Sequence, residues 1–283
     1  MDLKLTGKVA IVTGASRGIG LAIALRAARD GANVALIAKT AEPHPKLEGT
    51  VYTAAEQIEA AGGHALPIVG DIRDEAQVAD AVEQAVARFG GIDVCVNNAS
   101  AINLARTEEL DMKRYDLMQD INVRGTFAVS RACIPHLRGR ENPHILTLSP
   151  PLDLDPRWLG PHIGYTLAKY GMSLIALGLA AELREDGIGS NALWPRTLVA
   201  TAAVQNLLGG DEAMARARRP EIYADAAYAI LNRPARACSG NAFLCEDVLV
   251  AEGVTDLSPY SYVPGAELAI DLFVDAADPP GLA

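Results

Sequence analysis

Short apolar runs alternate along the chain with longer stretches in which apolar residues recur every three or four positions. The short runs have the length and β-branched content of buried strands, and the longer stretches have the period of amphipathic helices. Strands that alternate with helices predict an α/β fold with a doubly wound, mostly parallel sheet of about seven strands and helices on both faces. The predicted strands are Val9 to Thr13, Val34 to Ala38, Ala65 to Val69, Ile92 to Val96, Ile145 to Ser149, Asn191 to Trp194 and Ala242 to Cys245.

The segment from Asp74 to Phe89 shows the helical pattern most clearly. Asp74 is in position to be the N-cap, with Gln77 three residues later as in a capping box. The apolar stripe of this helix is expected to face the sheet. It consists of Val78, Val82, Val86 and Phe89.

Length and composition favour a single domain over residues 1–283. The chain has 283 residues, of which 50% are apolar and only 5% aromatic, which suits helices packed closely on a parallel sheet. Residues 247–283 are rich in proline and acidic residues, and we expect them to form a C-terminal extension that packs on the domain or frays from it.

Charge and residue spacing argue against several classes of function. A formal net charge of −10 without a basic stripe disfavours nucleic acid as a partner. The four cysteines and five histidines show no metal-ligand spacing, so no metal site is predicted. The N-terminus lacks the pattern of a secretory signal, and the apolar stretch Ser173 to Ala181 is too short to span a bilayer. We therefore expect a cytoplasmic protein without membrane insertion.

A glycine-rich turn follows the first predicted strand. It reads Gly14-Ala15-Ser16-Arg17-Gly18-Ile19-Gly20 and leads into a helical pattern. Glycines at this spacing let the backbone turn sharply and approach a pyrophosphate, which the N-terminus of the following helix can bind. The turn predicts a dinucleotide site on a Rossmann fold, and a purely structural tight turn is the alternative.

Two cations indicate which dinucleotide is preferred. The second strand ends in Ala38-Lys39-Thr40, where an acidic residue would bind the ribose of NAD. Lys39 and Arg17 can instead neutralise a 2′-phosphate, which favours NADP(H). NAD(H) remains possible, with Glu42 as the nearest acid, and the alternative is that both cations are ordinary solvated charges.

Tyr165 and Lys169 are four residues apart in a helical pattern, so their side chains share one face. A neighbouring ammonium is expected to lower the pKa of a phenol, which would make Tyr165 a usable general acid and base near neutral pH. The pattern is short and carries little weight alone. It gains weight because the glycine turn, Asn97-Asn98-Ala99 and Ser149 all follow or end predicted strands, on the same rim of the sheet.

Taken in order, these motifs resemble those of the short-chain dehydrogenase/reductase family over about 250 residues. The resemblance implies hydride transfer between a nicotinamide and a carbonyl or alcohol, with Tyr165 as proton donor and acceptor. It further implies that Lys169 holds the nicotinamide ribose, Ser149 bonds the substrate oxygen, and Asn122 supports a proton relay. The alternative is that the Asn122 side chain has a structural role and forms hydrogen bonds with neighbouring residues of its own helix. The implied cofactor-binding residues are Gly14, Ser16, Arg17, Gly18, Ile19, Gly20, Lys39, Asp71, Asn98, Ala99, Tyr165, Lys169, Pro195 and Thr197.

Two departures from the family pattern concern the substrate side. Ser149 precedes Tyr165 by sixteen residues, about three more than is usual, and Pro150-Pro151 follows it. Arg196 stands where a glycine is usual, and it could offer a cation to an acidic substrate.

Two apolar segments, Pro150 to Pro161 and Val199 to Leu208, are expected to edge the substrate site and to favour a small apolar carbonyl or alcohol. Their alternative role is to cover the sheet. The competing functions are a catalytically silent nicotinamide-binding sensor or scaffold and, less favoured, a sugar-nucleotide epimerase. The resemblance also implies a homo-oligomer, a dimer or tetramer, assembled through the helices near Asp111 to Leu137 and His162 to Arg184.

Overall fold

The computed structural model describes residues 4–44 and 47–275. Seven strands form one sheet in the order β3-β2-β1-β4-β5-β6-β7, and every neighbouring pair is parallel, which confirms the predicted doubly wound fold. The strands are β1 Val9–Thr13, β2 Asn33–Ala38, β3 His64–Val69, β4 Val94–Asn97, β5 His144–Thr147, β6 Gly189–Trp194 and β7 Ala242–Leu244.

Helices connect the strands and cover the sheet. The α-helices are α1 Gly18–Ala28, α2 Val51–Ala60, α3 Glu75–Phe89, α4 Met112–Met118, α5 Thr126–Leu137, α6 Pro156–Leu159, α7 Ile163–Glu182, α8 Gly210–Ala215, α9 Glu221–Asn232 and α10 Cys245–Ala251. Two π-helical segments, Gln119–Gly125 and Val204–Leu208, and a 3₁₀ turn at Ser258–Tyr260 complete the described elements.

Helix α3 begins as its sequence predicts. The Asp74 carboxylate accepts hydrogen bonds from the main-chain N–H groups of Ala76 and Gln77, and the Gln77 amide donates to it at 3.0 Å. The helix ends at Gly90, whose positive φ of 84° gives the left-handed C-cap that glycine favours.

The core lies on both faces of the sheet because successive strand residues point to opposite sides. In β1, Val12 packs with the side chains of α1, α2 and α9, and Ile11 packs with those of α3, α5 and α7. Both residues are at most 1% exposed. A sheet covered on both faces presents a ligand site only along its rim, at the carboxyl ends of the strands.

Strand β5 is shorter than predicted. It ends at Thr147, because the chain turns there and the Ser149 N–H donates to the Thr147 carbonyl at 3.0 Å. Strand β7 likewise ends one residue early, and Cys245 begins α10 instead. These boundaries matter because Ser149 was expected to end β5 and project from it.

The end of the described chain returns to the sheet rim. Residues 269–275, called the C-terminal strap below, run antiparallel to residues 196–198, with a bridge between Thr197 and Ile270. The strap is pinned by Phe273, which is only 2% exposed. This part of the extension is therefore packed on the fold, and residues 276–283 lie outside the described residues.

One helix, α7, is long and apolar enough to cross a membrane by length and composition. It is a 20-residue helix, longer than the apolar stretch predicted from the sequence, and 61% of its most apolar window is buried inside the protein. A helix buried in this way against β5 and β6 has the character of a core helix.

Candidate active site

The glycine turn adopts a backbone that only glycine takes without strain at two of its positions. Gly14 and Gly18 have φ values of +66° and +57°. Gly20 is required by space, because a Cβ there would lie 2.5 Å from the Asn98 amide nitrogen. The turn therefore leaves an open backbone surface in front of the N-terminus of α1, which suits a pyrophosphate.

A hydrogen-bond network fixes this turn to the neighbouring strand. The Asn98 amide donates to the carbonyls of Thr13 and Gly14 at 2.8 and 3.1 Å. In return, the Thr13 hydroxyl accepts from the main-chain N–H groups of Asn98 and Ala99. Asn98 thus holds the ends of β1 and β4 in register at the rim of the sheet.

A cleft opens above this network, and we call it the glycine-turn cleft. It brings together seven of the residues that the sequence predicted to bind the cofactor. Gly18 and Gly20 support the turn itself, and Ile19 lines a second cleft next to it. The seven predicted residues are Gly14, Ser16, Arg17, Lys39, Asp71, Asn98 and Ala99.

The charges at the outer end of the glycine-turn cleft are partly paired. Lys39 Nζ lies 3.0 Å from Asp71, which Arg73 also holds at 2.6 Å, and these cations keep the pKa of Asp71 well below its usual range. Arg17 donates to the main-chain carbonyls of Glu48 and Gly49, so its charge faces no carboxylate there. The cleft therefore carries a positive excess at the position predicted for a 2′-phosphate.

The second cleft contains Tyr165 and Lys169, and we call it the tyrosine cleft. Both residues belong to α7, and they are 5% and 4% exposed. Lys169 Nζ donates to the carbonyl of Leu148 at 3.0 Å. Asn98 and Ser100 line both clefts, so the two spaces are contiguous along the rim.

The expected acidity of Tyr165 is not found in this arrangement. Burial raises the pKa of the Tyr165 phenol, and the nearby charge of Asp271 raises it further. Burial also lowers the pKa of Lys169 to about 7. The prediction that Lys169 lowers the pKa of the phenol is thus wrong for this arrangement, because burial of the phenol dominates.

Asn122 lies in the π-helical segment between α4 and α5 and is fully buried. Its amide oxygen accepts from the Ala101 N–H at 2.7 Å and its nitrogen donates to the Ala101 carbonyl at 3.0 Å. Ala101 lines the tyrosine cleft, so Asn122 shapes one wall of that cleft through the main chain. Both hydrogen bonds join Asn122 to a loop residue and not to a neighbour in its own helix, so the structural alternative does not hold as stated, and the proton-relay role stays a prediction.

Ser149 lies two residues after the end of β5 rather than at its end. Its side chain is fully buried, and its hydroxyl has no hydrogen-bond partner among the described residues. The preceding Leu148 lines the tyrosine cleft instead. The assignment of Ser149 to the substrate oxygen therefore stays a prediction.

The segment after β6 forms the far wall of the tyrosine cleft. Pro195 lines the cleft, and Thr197 is buried behind it with its hydroxyl 3.3 Å from Glu246. Arg196 is bound to Asp247 at 2.9 Å and to the main chain of the strap at Asp275. The hypothesis that Arg196 offers a cation to an acidic substrate is wrong for this structure, because the guanidinium is held by the Asp247 carboxylate and a main-chain carbonyl and does not line the cleft.

The two apolar segments predicted to edge the substrate site have different positions. Val199, Val204 and Leu208 line the tyrosine cleft, as expected. In the other segment Leu154 is 74% exposed and Trp158 packs against Phe273, so it covers the strap rather than the cleft.

No pattern in the sequence indicated that the strap belongs to this site. Asp271 and Leu272 line the tyrosine cleft, and the Trp194 indole donates to the Leu272 carbonyl at 2.9 Å. The strap anchor Phe273, at a φ of +70°, packs against four aromatic rings. These are Trp158, Tyr165, Tyr170 and Trp194.

Over residues 4–44 and 47–275 there is no cluster of three or more histidine, cysteine or acidic side chains that could hold a metal ion. The tyrosine cleft itself offers a phenol, an ammonium and a carboxylate, next to the glycine turn.

Residues 8–210 match the family model for short chain dehydrogenases. The chain belongs to the short-chain dehydrogenase family. As a short-chain dehydrogenase it is an oxidoreductase, and the matched residues include the glycine turn, Asn98, Tyr165 and Lys169.

Relatives and solved structures agree with this assignment. The chain is 57% identical to hydroxysteroid dehydrogenase-like protein 2 of Danio rerio over 272 residues, which cover 96% of this chain and 65% of that protein. A crystal structure of a short chain dehydrogenase from Mycobacterium thermoresistibile is 68% identical, covers 98% of this chain and 99% of that one, and superposes with a TM-score of 0.93. A blue fluorescent protein from a metagenomic library, solved in complex with NADPH, is 29% identical with a TM-score of 0.73, covering 85% of this chain and 97% of that one. The short-chain dehydrogenase described here thus spans less than two thirds of the length of the curated relative.

Proposed function

We propose that this short-chain dehydrogenase interconverts a small apolar carbonyl compound and its alcohol with NADP(H), and that Tyr165 is the general acid and base. The observation that carries the proposal is the continuity of the two clefts through Asn98 and Ser100. A dinucleotide seated on the glycine turn and extended along the rim would bring its nicotinamide beside Tyr165 and Lys169.

The residues around the glycine-turn cleft fit the dinucleotide. The glycine turn suits the pyrophosphate, because Gly14 lets the chain pack closely on Asn98 and Ala99 while the space at Gly18 stays open, and Asp71 would contact the adenosine end. Preference for NADP(H) over NAD(H) rests on Arg17 and Lys39, whose charges would meet a 2′-phosphate. The related protein that binds NADPH supports a nicotinamide cofactor, and NAD(H) stays a weaker second substrate in this proposal.

The tyrosine cleft would perform the proton transfer. When bound, the nicotinamide supplies or accepts the hydride. Tyr165 then donates its hydroxyl proton to the carbonyl oxygen as that oxygen gains charge, and it takes the proton back in the reverse direction. Lys169 stabilises the phenolate, and its own ammonium is held in place by the Leu148 carbonyl. The apolar lining excludes water from the reacting atoms.

The direct test is NADPH oxidation with a panel of medium-chain aldehydes and ketones. We expect turnover by the parent protein and a loss of at least about 100-fold in kcat/KM for Tyr165→Phe, the lower end of what general acid–base catalysis contributes. Tyr262→Phe is the matched control, because Tyr262 is 48% exposed and lines neither cleft. Equal turnover by Tyr165→Phe would remove the proton-donor assignment. Tight NADPH binding without turnover of any substrate would favour the silent sensor instead.

We also infer a homo-oligomer that assembles through α5 and α7. Both helices expose large apolar side chains, Phe127 on α5 and Leu167 and Leu174 on α7, each at least 50% exposed. Light scattering after gel filtration should show a dimer or tetramer that Leu174→Glu weakens.

A cytoplasmic location belongs to the same proposal, because all four cysteines are buried free thiols, as is usual in a reducing compartment. Fluorescence microscopy of a tagged chain in its own cells tests it, and a signal confined to an organelle or a membrane would contradict it.

A further inference from the structure

We propose that Asp271 determines the substrate class by accepting a hydrogen bond from an uncharged substrate and excluding substrates that carry a carboxylate. The inference rests on the proposed function, and it adds a residue from the C-terminal strap to the tyrosine cleft. It identifies the substrate as an apolar alcohol or carbonyl compound that has a hydroxyl donor and no acid group.

The strap holds Asp271 at a defined position on the cleft wall. Its N–H donates to the Arg196 carbonyl at 2.9 Å, and two residues earlier the Ala269 carbonyl accepts from the Leu198 N–H at the same distance. On the other side, Phe273 is buried among aromatic rings in a left-handed conformation that is strained for a residue with a side chain. A strained residue that persists in a buried cluster indicates that the strap conformation is firmly determined by its surroundings.

The Asp271 carboxyl keeps acceptor capacity for a ligand. One oxygen accepts from the Leu272 N–H at 2.7 Å, which is the only donor to this carboxyl in the part of the chain that the structure describes. An ionised carboxylate has roughly four acceptor positions. The remaining ones lie at a cleft that Asp271 itself lines, among side chains that are mostly apolar.

The charge balance of the tyrosine cleft works against anions. Lys169 is the one cation that lines it among the described residues, and that ammonium is already bound to Leu148. Arg196, the other cation close by, is held by Asp247 outside the lining. Lys169 stabilises the negative charge of Asp271. The other ionisable groups that act on Asp271 bring no positive charge; they are Glu246, Tyr165, Tyr223 and Cys245. A substrate carboxylate would therefore meet a like charge in a poorly hydrated space.

Exclusion of anions should increase with pH. Burial raises the pKa of Asp271 to about 7, an effect that Lys169 and the Leu272 N–H only partly offset. Between pH 6 and pH 8.5 Asp271 gains its negative charge while Lys169, whose pKa is also about 7, loses its positive charge, and both changes disfavour a bound carboxylate. The difference between an uncharged ligand and a carboxylate should accordingly be larger at pH 8.5.

Ligand binding tests the proposal without requiring turnover. The probes are 1-octanol and octanoate, titrated at pH 8.5 in the presence of NADPH, with the fluorescence of Trp194 in the cleft wall as the readout. We expect octanol to bind at least tenfold more tightly than octanoate to the parent protein. Asp271→Asn, which keeps the size of the side chain, should reduce that ratio at least fivefold, and Asp271→Glu should restore most of it.

Asp275→Asn is the matched control. It removes the same charge from the same strap, but Asp275 is 60% exposed at its side chain and pairs with Arg157 outside the cleft. Its octanol-to-octanoate ratio should equal that of the parent. A ratio that Asp271→Asn leaves unchanged, or octanoate binding as tightly as octanol to the parent protein, would overturn the proposal.

The two proposals fail in distinguishable ways. If Asp271→Asn leaves the octanol-to-octanoate ratio unchanged while turnover still depends on Tyr165, only the role of Asp271 is refuted. Absence of turnover together with discrimination between octanol and octanoate removes the proposed reaction and keeps the specificity assignment.

Discussion

The two clefts on the sheet rim are built in different ways. The glycine-turn cleft takes its residues from short stretches that directly follow strands β1 to β4, and its polar groups are fixed by main-chain bonds such as those of Asn98. The tyrosine cleft is assembled from α7, the segment after β6 and the C-terminal strap, and its lining is mostly apolar. The glycine-turn cleft, which would hold the cofactor, is therefore formed by short local sequence motifs. The tyrosine cleft, which would hold the substrate, depends on contacts between residues far apart in sequence.

Among substitutions that separate the two clefts, Lys169→Met in the tyrosine cleft is expected to have the largest effect on activity. Removal of the ammonium should lower kcat/KM by about 1000-fold, within the range of acid–base contributions, because the Tyr165 phenolate loses its stabilising charge. The fold should persist, since replacing a buried cation by an apolar side chain removes a desolvation cost. Steady-state kinetics with NADPH measure kcat/KM, and circular dichroism shows whether the fold persists. Lys113→Met, on exposed helix α4, is the control and should change neither.

Phe273→Ala tests whether the strap belongs to the tyrosine cleft. Loss of a buried aromatic side chain should lower the free energy of unfolding by about 3 kcal/mol and raise KM for the carbonyl substrate, with the affinity for NADPH nearly unchanged. Chemical denaturation and cofactor titration provide the measurements, with Tyr262→Ala as the exposed control. A parallel loss of NADPH affinity would show that the clefts are not built independently.

Lys39→Ala acts on the other cleft. The affinity for NADPH should fall about tenfold at low salt and that for NADH should change less than twofold, since only NADPH carries the 2′-phosphate. Fluorescence titration of both reduced cofactors measures this. An equal loss of affinity for NADPH and NADH would mean that Lys39 contributes only through its ion pair with Asp71, which lies 3.0 Å away.

The smallest effect concerns pH. Burial lowers the pKa of Lys169 to about 7, and the negative charge of Asp271 partly offsets this effect by raising it. Since the protonated ammonium is the active form, kcat/KM for reduction should fall as pH rises past that value. Asp271→Asn should move the fall to lower pH by about half a unit, because the neutral amide no longer favours the ammonium. A pH profile of kcat/KM measures the shift, and a movement to higher pH would contradict this account.

The sequence predicted most of the glycine-turn cleft because its signals are local. Positive φ values at Gly14 and Gly18 and the close approach at Gly20 follow from a motif within seven residues of one strand end. Strand positions were recovered to within two residues for the same reason, since buried parallel strands form continuous apolar runs.

The tyrosine cleft was predicted only in part. Tyr165 and Lys169 share a helix face and were identified, but the direction of the pKa shift of Tyr165 depends on burial, which the spacing does not reveal. The position of Ser149 depends on a turn two residues long after β5. Asp271 lies more than one hundred residues from Tyr165 in a segment without periodic pattern, so only the folded chain brings them to one cleft.

The most direct test of the central claim is transfer of deuterium from NADPH that carries deuterium at both C4 positions of the nicotinamide. With a ketone or aldehyde from the panel, mass spectrometry of the alcohol formed by the parent protein should show one deuterium on the former carbonyl carbon, and Tyr165→Phe should form at least 100-fold less labelled product. Unlabelled alcohol, or label formed equally fast by Tyr165→Phe, would contradict hydride transfer assisted by the buried tyrosine.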